Sequence, residues 1–260
     1  MKKPVTLYIL LLALSIGVLF LLNLFLGSVD IPFRSIWNIL WGMDEGESVI
    51  WQNIIWKSRV PQALTAMVAG AGLAVSGLQM QTVFRNPLAG PSVLGISSGA
   101  SLGVAFVVLL SGSIGGIALS RLGFMGEIAL TMAAIIGALS IMALIVYVSQ
   151  KVHGNVTLLI IGVMIGYVAN AVIGVLKFFS VEEDIRAYVI WGLGSFARVS
   201  GNQMMVFVCI MAVLLPLSFL LIKTLNLLLL GDAYARNLGL NIKRARLQVI
   251  ACSGVLVAIV

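Results

Sequence analysis

The chain has 260 residues, of which 61% are hydrophobic and only 10% charged, and its mean hydropathy is +1.14. Soluble domains carry about a quarter charged residues, so a chain this poor in charge excludes a water-soluble globular protein and points to a polytopic membrane protein. The net charge of +7 reads as lysine and arginine held on the cytoplasmic side of a membrane rather than as a nucleic-acid footprint.

In chain order, Met1-Lys2-Lys3-Pro4 precedes an apolar run over about residues 6–27. That run is too long for a signal-peptide core and lacks a small-residue cleavage pattern, so it is predicted to be a retained first helix. Six more apolar stretches near the length of a spanning helix follow, at about 60–82, 92–111, 127–148, 156–176, 203–222 and 247–260. The predicted fold is all-α: one transmembrane domain over 1–260 with seven spans. Cys209 and Cys252 lie within apolar runs and read as buried free thiols. In the second span, Gly72 and Ser76 form a small-xxx-small pair that lets helices approach closely in lipid. The acids of Glu182-Glu183-Asp184 suit a helix N-terminus, so a short surface helix is predicted over 181–188, followed by a turn at Trp191-Gly192-Leu193-Gly194-Ser195.

Charge sets the orientation. With the N-terminus inside, the inner segments hold Lys2, Lys3, Arg85, Lys151, Lys223, Arg236, Lys243, Arg244 and Arg246, with Asp232 as their one acid. The outer segments hold Asp30, Asp44, Glu45, Glu47, Glu127 and the 182–184 acids beside seven basic residues, Arg34, Lys57, Arg59, Arg121, Lys177, Arg186 and Arg198, so the bias is modest and is strongest at Lys243-Arg244-Ala245-Arg246 before the last span. This arrangement predicts a cytoplasmic N-terminus.

Enzymatic motifs are weak. Gly95-Ile96-Ser97-Ser98-Gly99 fits the G-x-S-x-G spacing, but a nucleophile elbow needs a preceding strand and a histidine, and the lone His153 reads as an ordinary loop residue. There is no Walker A sequence, no H-E-x-x-H and no Cys/His cluster, so no catalytic site, metal site or cofactor is predicted. No acid lies mid-span, where ion-coupled carriers bind their driving ion. The energy for any pumping would then come from a partner. An ion-coupled or facilitative membrane carrier is the alternative.

Two inner segments are more than turns. The stretch from Arg85-Asn86-Pro87-Leu88-Ala89-Gly90-Pro91 to Gly99-Ala100 is broken by two prolines, with Ser92 placed to cap the next helix. The stretch from Leu230-Gly231-Asp232 to Arg246 is predicted to form two short helices broken at Gly239, with apolar and basic positions alternating. Its pattern fits an interfacial helix lying on headgroups and equally a helix docked in a groove of a soluble partner.

Both segments carry a resemblance. Arg85-Asn86-Pro87-Leu88-Ala89-Gly90-Pro91…Leu94-Gly95-Ile96-Ser97-Ser98-Gly99-Ala100 resembles the signature of the iron-siderophore, haem and vitamin B12 (FecCD-type) permeases of binding-protein-dependent ABC importers. Gly231-Asp232…Ala235-Arg236…Leu238-Gly239 resembles the coupling motif of the same family. The resemblance implies a non-enzymatic transport subunit in the bacterial inner membrane, with about ten spans, acting as a homodimer or paired homologue. It implies cytoplasmic ABC ATPase subunits, a periplasmic or lipoprotein substrate-binding protein and an iron-chelate cargo, a siderophore first and haem or cobalamin next. By the same resemblance, residues 231–246, with Gly231, Asp232, Ala235, Arg236, Leu238 and Gly239, are coupling helices. Asn86 and Leu88 lie at a cytoplasmic gate, and Asn155 and Val156 at its second loop. Arg59 matches the first arginine of an outer Arg-x-Pro-Arg motif that docks the binding protein, while Gln62 stands where the second arginine would be. Family members continue through three further spans, so the chain reads as C-terminally truncated.

Overall fold

The computed structural model describes residues 5–43, 46, 48–115, 124–152 and 155–260. Lys2, Lys3, Asp44, Glu45, Glu47, Arg121 and His153 lie outside them. The helices are α1 (Val5–Phe25), α2 (Phe33–Leu40), α3 (Val49–Ile54), α4 (Val60–Phe84), α5 (Ile96–Gly115), α6 (Phe124–Lys151), α7 (Asn155–Phe178), α8 (Glu182–Gly192), α9 (Gly201–Phe219), α10 (Ile222–Leu229), α11 (Asp232–Asn237) and α12 (Ile242–Ile259). No strand occurs among the described residues. The protein is all-α and polytopic.

Helices stand at all seven predicted spans: α1, α4, α5, α6, α7, α9 and α12. Five helical stretches are long and apolar enough to cross a membrane: Val5–Phe25, Val49–Phe84, Met125–Lys151, Thr157–Phe178 and Gly201–Phe219. The apolar part of α5 is shorter, at Ile96–Leu110, and α12 opens with Lys243, Arg244 and Arg246.

Three boundaries differ from the sequence reading. The second span does not begin near residue 60. It is the end of a 36-residue helical stretch that starts at Val49 and passes through a π turn over Ile55–Arg59. Helix α5 starts at Ile96 because a 3-10 turn over Pro91–Leu94 precedes it. Ser92 is therefore inside that turn and does not cap α5. Finally, the second of the two short helices predicted after Leu230 is the first turns of α12, continuous into the last span. The short helix after 181 forms as α8, and Gly194 ends it at φ +65°.

The helices fall into two compact units, residues 1–70 with 195–210, and 71–194 with 211–260. Helices α4 and α9 run from one into the other. The first unit has a small core of Ile31, Ile36, Ile39 and Ile55. Its helix α1 buries only Leu24 within this chain. The second unit holds the larger core, in which Met80, Phe84, Leu94, Ile96, Ile145, Val249 and Ile250 meet.

Close packing in that unit is set by small residues. A Cβ added at Gly103 would run into the carbonyl of Ala133, and one at Gly137 into the carbonyl of Gly99. Helices α5 and α6 thus touch backbone to backbone. In lipid, where apolar side chains gain nothing by leaving the solvent, such approach is a main source of helix association. The predicted pair on α4 acts more modestly. Gly72 faces the flexible side chain of Met211, and Ser76 Oγ lies 2.6 Å from Ser253 Oγ of α12. One turn on, Gln79 Nε2 donates to Cys252 Sγ at 3.6 Å. Cys252 is half-buried, whereas Cys209, expected to be buried, is exposed on α9.

This packing generates a prediction. Gly137→Ala forces the α5 and α6 backbones apart and lowers stability by about 1–3 kcal/mol, the usual cost of overpacking. Gly174→Ala, where an added Cβ meets nothing within 4 Å, is neutral or slightly stabilising. Thermal unfolding in detergent compares the two.

Candidate gate and coupling site

The site begins where α4 stops. Arg85 N–H donates to Thr82 O at 3.4 Å and Asn86 N–H to Gln81 O at 3.2 Å. This paired pattern closes a helix through a left-handed residue, and Arg85 supplies it with φ +48°, the one non-glycine positive φ among the described residues. Asn86 then builds the turn. Its side-chain Oδ1 accepts from Leu88 N–H at 2.9 Å, and its carbonyl accepts from Ala89 N–H at 3.0 Å. Ala89 is buried while Leu88 is 86% exposed. Asparagine suits this position because its short side chain can mimic a backbone turn.

The second motif ends in the same way. Gly239 N–H donates to Arg236 O and Leu240 N–H to Ala235 O, both at 2.9 Å, with Gly239 at φ +85°. An added Cβ at Gly239 meets nothing within 4 Å, so glycine is needed here for its backbone and not for space. Asn241 then caps α12, its side chain accepting from Arg244 N–H at 3.1 Å. Ala235 is fully buried in the chain's own core beside Leu228, Ile242 and Val249. The exposed side of α11 is instead Tyr234 (69%) and Leu238 (63%), with Arg236, Lys243 and Arg244 exposed nearby in sequence.

An ion-pair node joins the motifs. Arg85 Nη2 lies 2.5 Å from Asp232 Oδ1, and Arg246 Nη2 lies 2.6 Å from Asp232 Oδ2. Arg85 Nη2 also donates to Leu228 O, at the end of α10, at 3.1 Å. The side chains of Asp232, Arg85 and Arg246 are 41%, 40% and 22% exposed. Ion pairs this exposed contribute about 0–1 kcal/mol each. A left-handed non-glycine residue costs about 1–2 kcal/mol. In stability the arrangement is close to neutral, so its consequence is geometric. The sequence reading singled out Asp232 as a coupling residue and named Arg85 and Arg246 only as inner basic residues within the motif segments. The signal was there, since each motif carries one member of the pair.

Asn155 and Val156 open α7, but their side chains lie outside those described. Beside the first motif, a cavity of about 210 Å3 opens between the start of α5 and the middle of α7. Ser92, Ser98, Tyr167 and Asn170 line it around Gly95, Gly162 and Gly166. Gly95 has φ +71°, and a Cβ on it would stand 3.0 Å from Gly162 O. Ser92, Gly95 and Ser98 belong to the first motif, but the α7 residues opposite carried no sequence signal, so the cavity itself was not foreseen.

Comparison with known proteins decides the family. The model of the FecCD transport family matches residues 12–260. The chain belongs to the FecCD transport family. Among its relatives, the hemin transport system permease HmuU of Yersinia pestis is 35% identical over 233 residues, 89% of this chain and 66% of that one. The vitamin B12 import permease BtuC of Serratia proteamaculans is 35% identical over 253 residues, 97% of this chain and 69% of that one. The chain thus spans about two thirds of the length of these relatives. A solved structure described as a metal-chelate-type ABC transporter in an inward-facing conformation superposes with a TM-score of 0.78 at 28% identity, covering 99% of this chain and 75% of that one.

Within this FecCD chain, Arg59 has a different employment from the docking role implied by resemblance. It is 5% exposed. Its Nη1 donates to Leu24 O at 2.7 Å and Phe25 O at 3.1 Å, and its Nη2 to Val29 O. Those carbonyls end α1 and begin its following turn, so Arg59 caps α1 as a cation should cap a helix C-terminus. The π turn carries Arg59 inward on the same face as Ile55. A guanidinium spent on three carbonyls is not a rim charge free to meet a partner.

Another buried charge lies in the second unit. Asp184, in the first turn of α8, is 6% exposed, and its Oδ2 has no hydrogen-bond partner among the described residues. Burial, with neighbouring Glu183 adding to it, raises its pKa from the ordinary carboxylate value of 3.8.

Two predictions follow from these residues. Arg59→Ala leaves three carbonyls without their charged donor and lowers stability by roughly 2–3 kcal/mol. The loss appears in thermal unfolding of the permease alone, with no partner present, and Arg59→Lys restores only part of it because one ammonium cannot span all three acceptors. Asp184 has the opposite sign. Below pH 3.8 folded and unfolded chains both hold the proton. As pH rises through the interval up to the raised native value, the unfolded chain releases it first and native stability falls. Asp184→Asn is therefore more stable than wild type at pH 7, and the two converge as the pH drops below about 4 in melts across pH 3.5–7.5.

Proposed function

We propose that this chain is a permease subunit of a binding-protein-dependent ABC importer that moves a metal chelate across the bacterial inner membrane. A cytoplasmic ATPase pair supplies the energy, a substrate-binding protein delivers the cargo, and a second permease subunit completes the pore. The N-terminus, the 85–91 turn and the 223–246 segment face the cytoplasm. The permease breaks no bonds itself: ATP-driven motion of its partner switches it between outward- and inward-facing states. The observation that carries the reading is the meeting of both family motifs at one ion-paired node, Arg85 with Asp232. Family membership over residues 12–260 supports it.

The cargo we propose is an iron chelate, a ferric siderophore first and haem or cobalamin next. The named relatives are a hemin and a vitamin B12 permease, which supports a bulky metal chelate as the cargo. Uptake of a ferric siderophore, haem and cobalamin into cells or proteoliposomes holding the full importer ranks the three.

The proposed docking face is α11, through Tyr234 and Leu238 with the basic residues beside them. Ala235 supports that face from beneath, and a bulky residue there would break the chain's own packing rather than test docking. Leu238→Asp with Tyr234→Ala removes the two exposed apolar anchors. Loss of a hot spot costs about 2 kcal/mol or more, roughly 30-fold in affinity. Co-purification of the ATPase should fall by that order while the permease melts unchanged. Undiminished recovery of the ATPase would leave α11 as an interfacial helix resting on headgroups.

A further inference from the structure

We infer that Asp232 and Arg85 are positioning residues that make the exposed face of α11 and the exposed turn bearing Leu88 move as one body. This rests on the reading of α11 as the ATPase-docking helix. Three observations carry it. First, Asp232 is the first residue of α11, and both its carboxylate oxygens are engaged, one by Arg85 from the end of α4 and one by Arg246 from α12. The helix is thereby held at its base by two neighbours. Second, the same Arg85 nitrogen donates to Leu228 O. Since α10 and α11 meet at Gly231, φ +108°, one guanidinium spans both sides of a glycine joint and adds to the backbone hydrogen bonds already there.

Third, Arg85 occupies a backbone position that favours glycine. The helix end at Gly239 uses the same hydrogen-bond pattern with glycine in the left-handed place. At the end of α4 an arginine takes that place against backbone preference, and its guanidinium is what a glycine could not supply. Only one turn of chain separates it from Leu88, whose N–H is fixed by Asn86. A displacement of α11 is thus delivered to the Leu88 turn through a charged, two-pronged clamp added to the apolar core that Ala89 and Ala235 share.

The test uses the full importer in nanodiscs, with Cys209 and Cys252 replaced by serine and spin labels at Leu88→Cys and at Asn237→Cys, the exposed last residue of α11. The parent should give one narrow label-to-label distance with and without nucleotide. Asp232→Asn and Arg85→Gly should broaden it, and Asp232→Glu should restore it. In the unlabelled importer, Asp232→Asn and Arg85→Gly should keep the ATPase bound and hydrolysing while ATP consumed per cargo imported rises at least 5-fold. Arg85→Gly should also leave the melting temperature of the permease unchanged or raised, because it relieves the backbone. A merely structural role predicts instead a lower melting temperature with an unchanged distance distribution and an unchanged ATP-to-cargo ratio, and that result would overturn the inference. If no ATPase co-purifies even with the parent, the importer reading itself fails. In that case an unbroadened distance in Asp232→Asn still sinks the clamp on its own.

Discussion

A backbone in hydrocarbon must satisfy its own hydrogen bonds, because no water is there to help. Helix ends closer to water feel a milder form of it, and several among the described residues are closed by local devices. Each break carries its own closure: a left-handed residue at Arg85 and at Gly239, an asparagine turn at Asn86, a 3-10 turn over Pro91–Leu94, and a guanidinium on the last carbonyls of α1. Polar side chains are therefore concentrated where helices stop. Those ends are the places where chemistry can meet a partner.

Within the spans the same constraint has another consequence. Apolar side chains have no hydrophobic reason to leave lipid, so helices hold together by contact and by a few polar pairs. Helices α5 and α6 use backbone contact at Gly99, Gly103, Ala133 and Gly137. Helices α4 and α12 use the Ser76–Ser253 and Gln79–Cys252 pairs and, beyond the helix end, the bridge through Asp232. The first kind of interface resists sliding because carbonyls interlock. The second is a line of polar contacts whose outermost member is charged and partly solvated.

Much of the site was legible in the sequence. The two motifs, their placement beside span ends and the role of Gly239 could all be read from residue order, since prolines, glycines and asparagines act locally on the backbone. The direction in which side chains face was not legible. Ala235 and Arg59, which the resemblance places in a coupling motif and a docking motif, are both buried in the chain's own packing. For Ala235 the reason is that a six-residue helix has too few positions to show a clear apolar face. For Arg59 it is the π turn, which changes the facing of residues downstream by an amount that no standard period anticipates.

By itself the sequence determined the class of protein, since 10% charge and 61% apolar residues leave no other solvent than lipid. It also determined roughly where seven helices run, five of them in stretches long and apolar enough to cross a membrane, and which loops carry family signatures. Tertiary structure alone decided that Arg85 and Arg246 share one carboxylate. Residues 85, 232 and 246 are far apart or differently directed along the chain, and an ion pair depends on distances that close only when α4, α11 and α12 are packed. It alone decided, too, that α5 and α6 interlock at glycines, because a glycine in a sequence shows that close approach is permitted and never which backbone makes it.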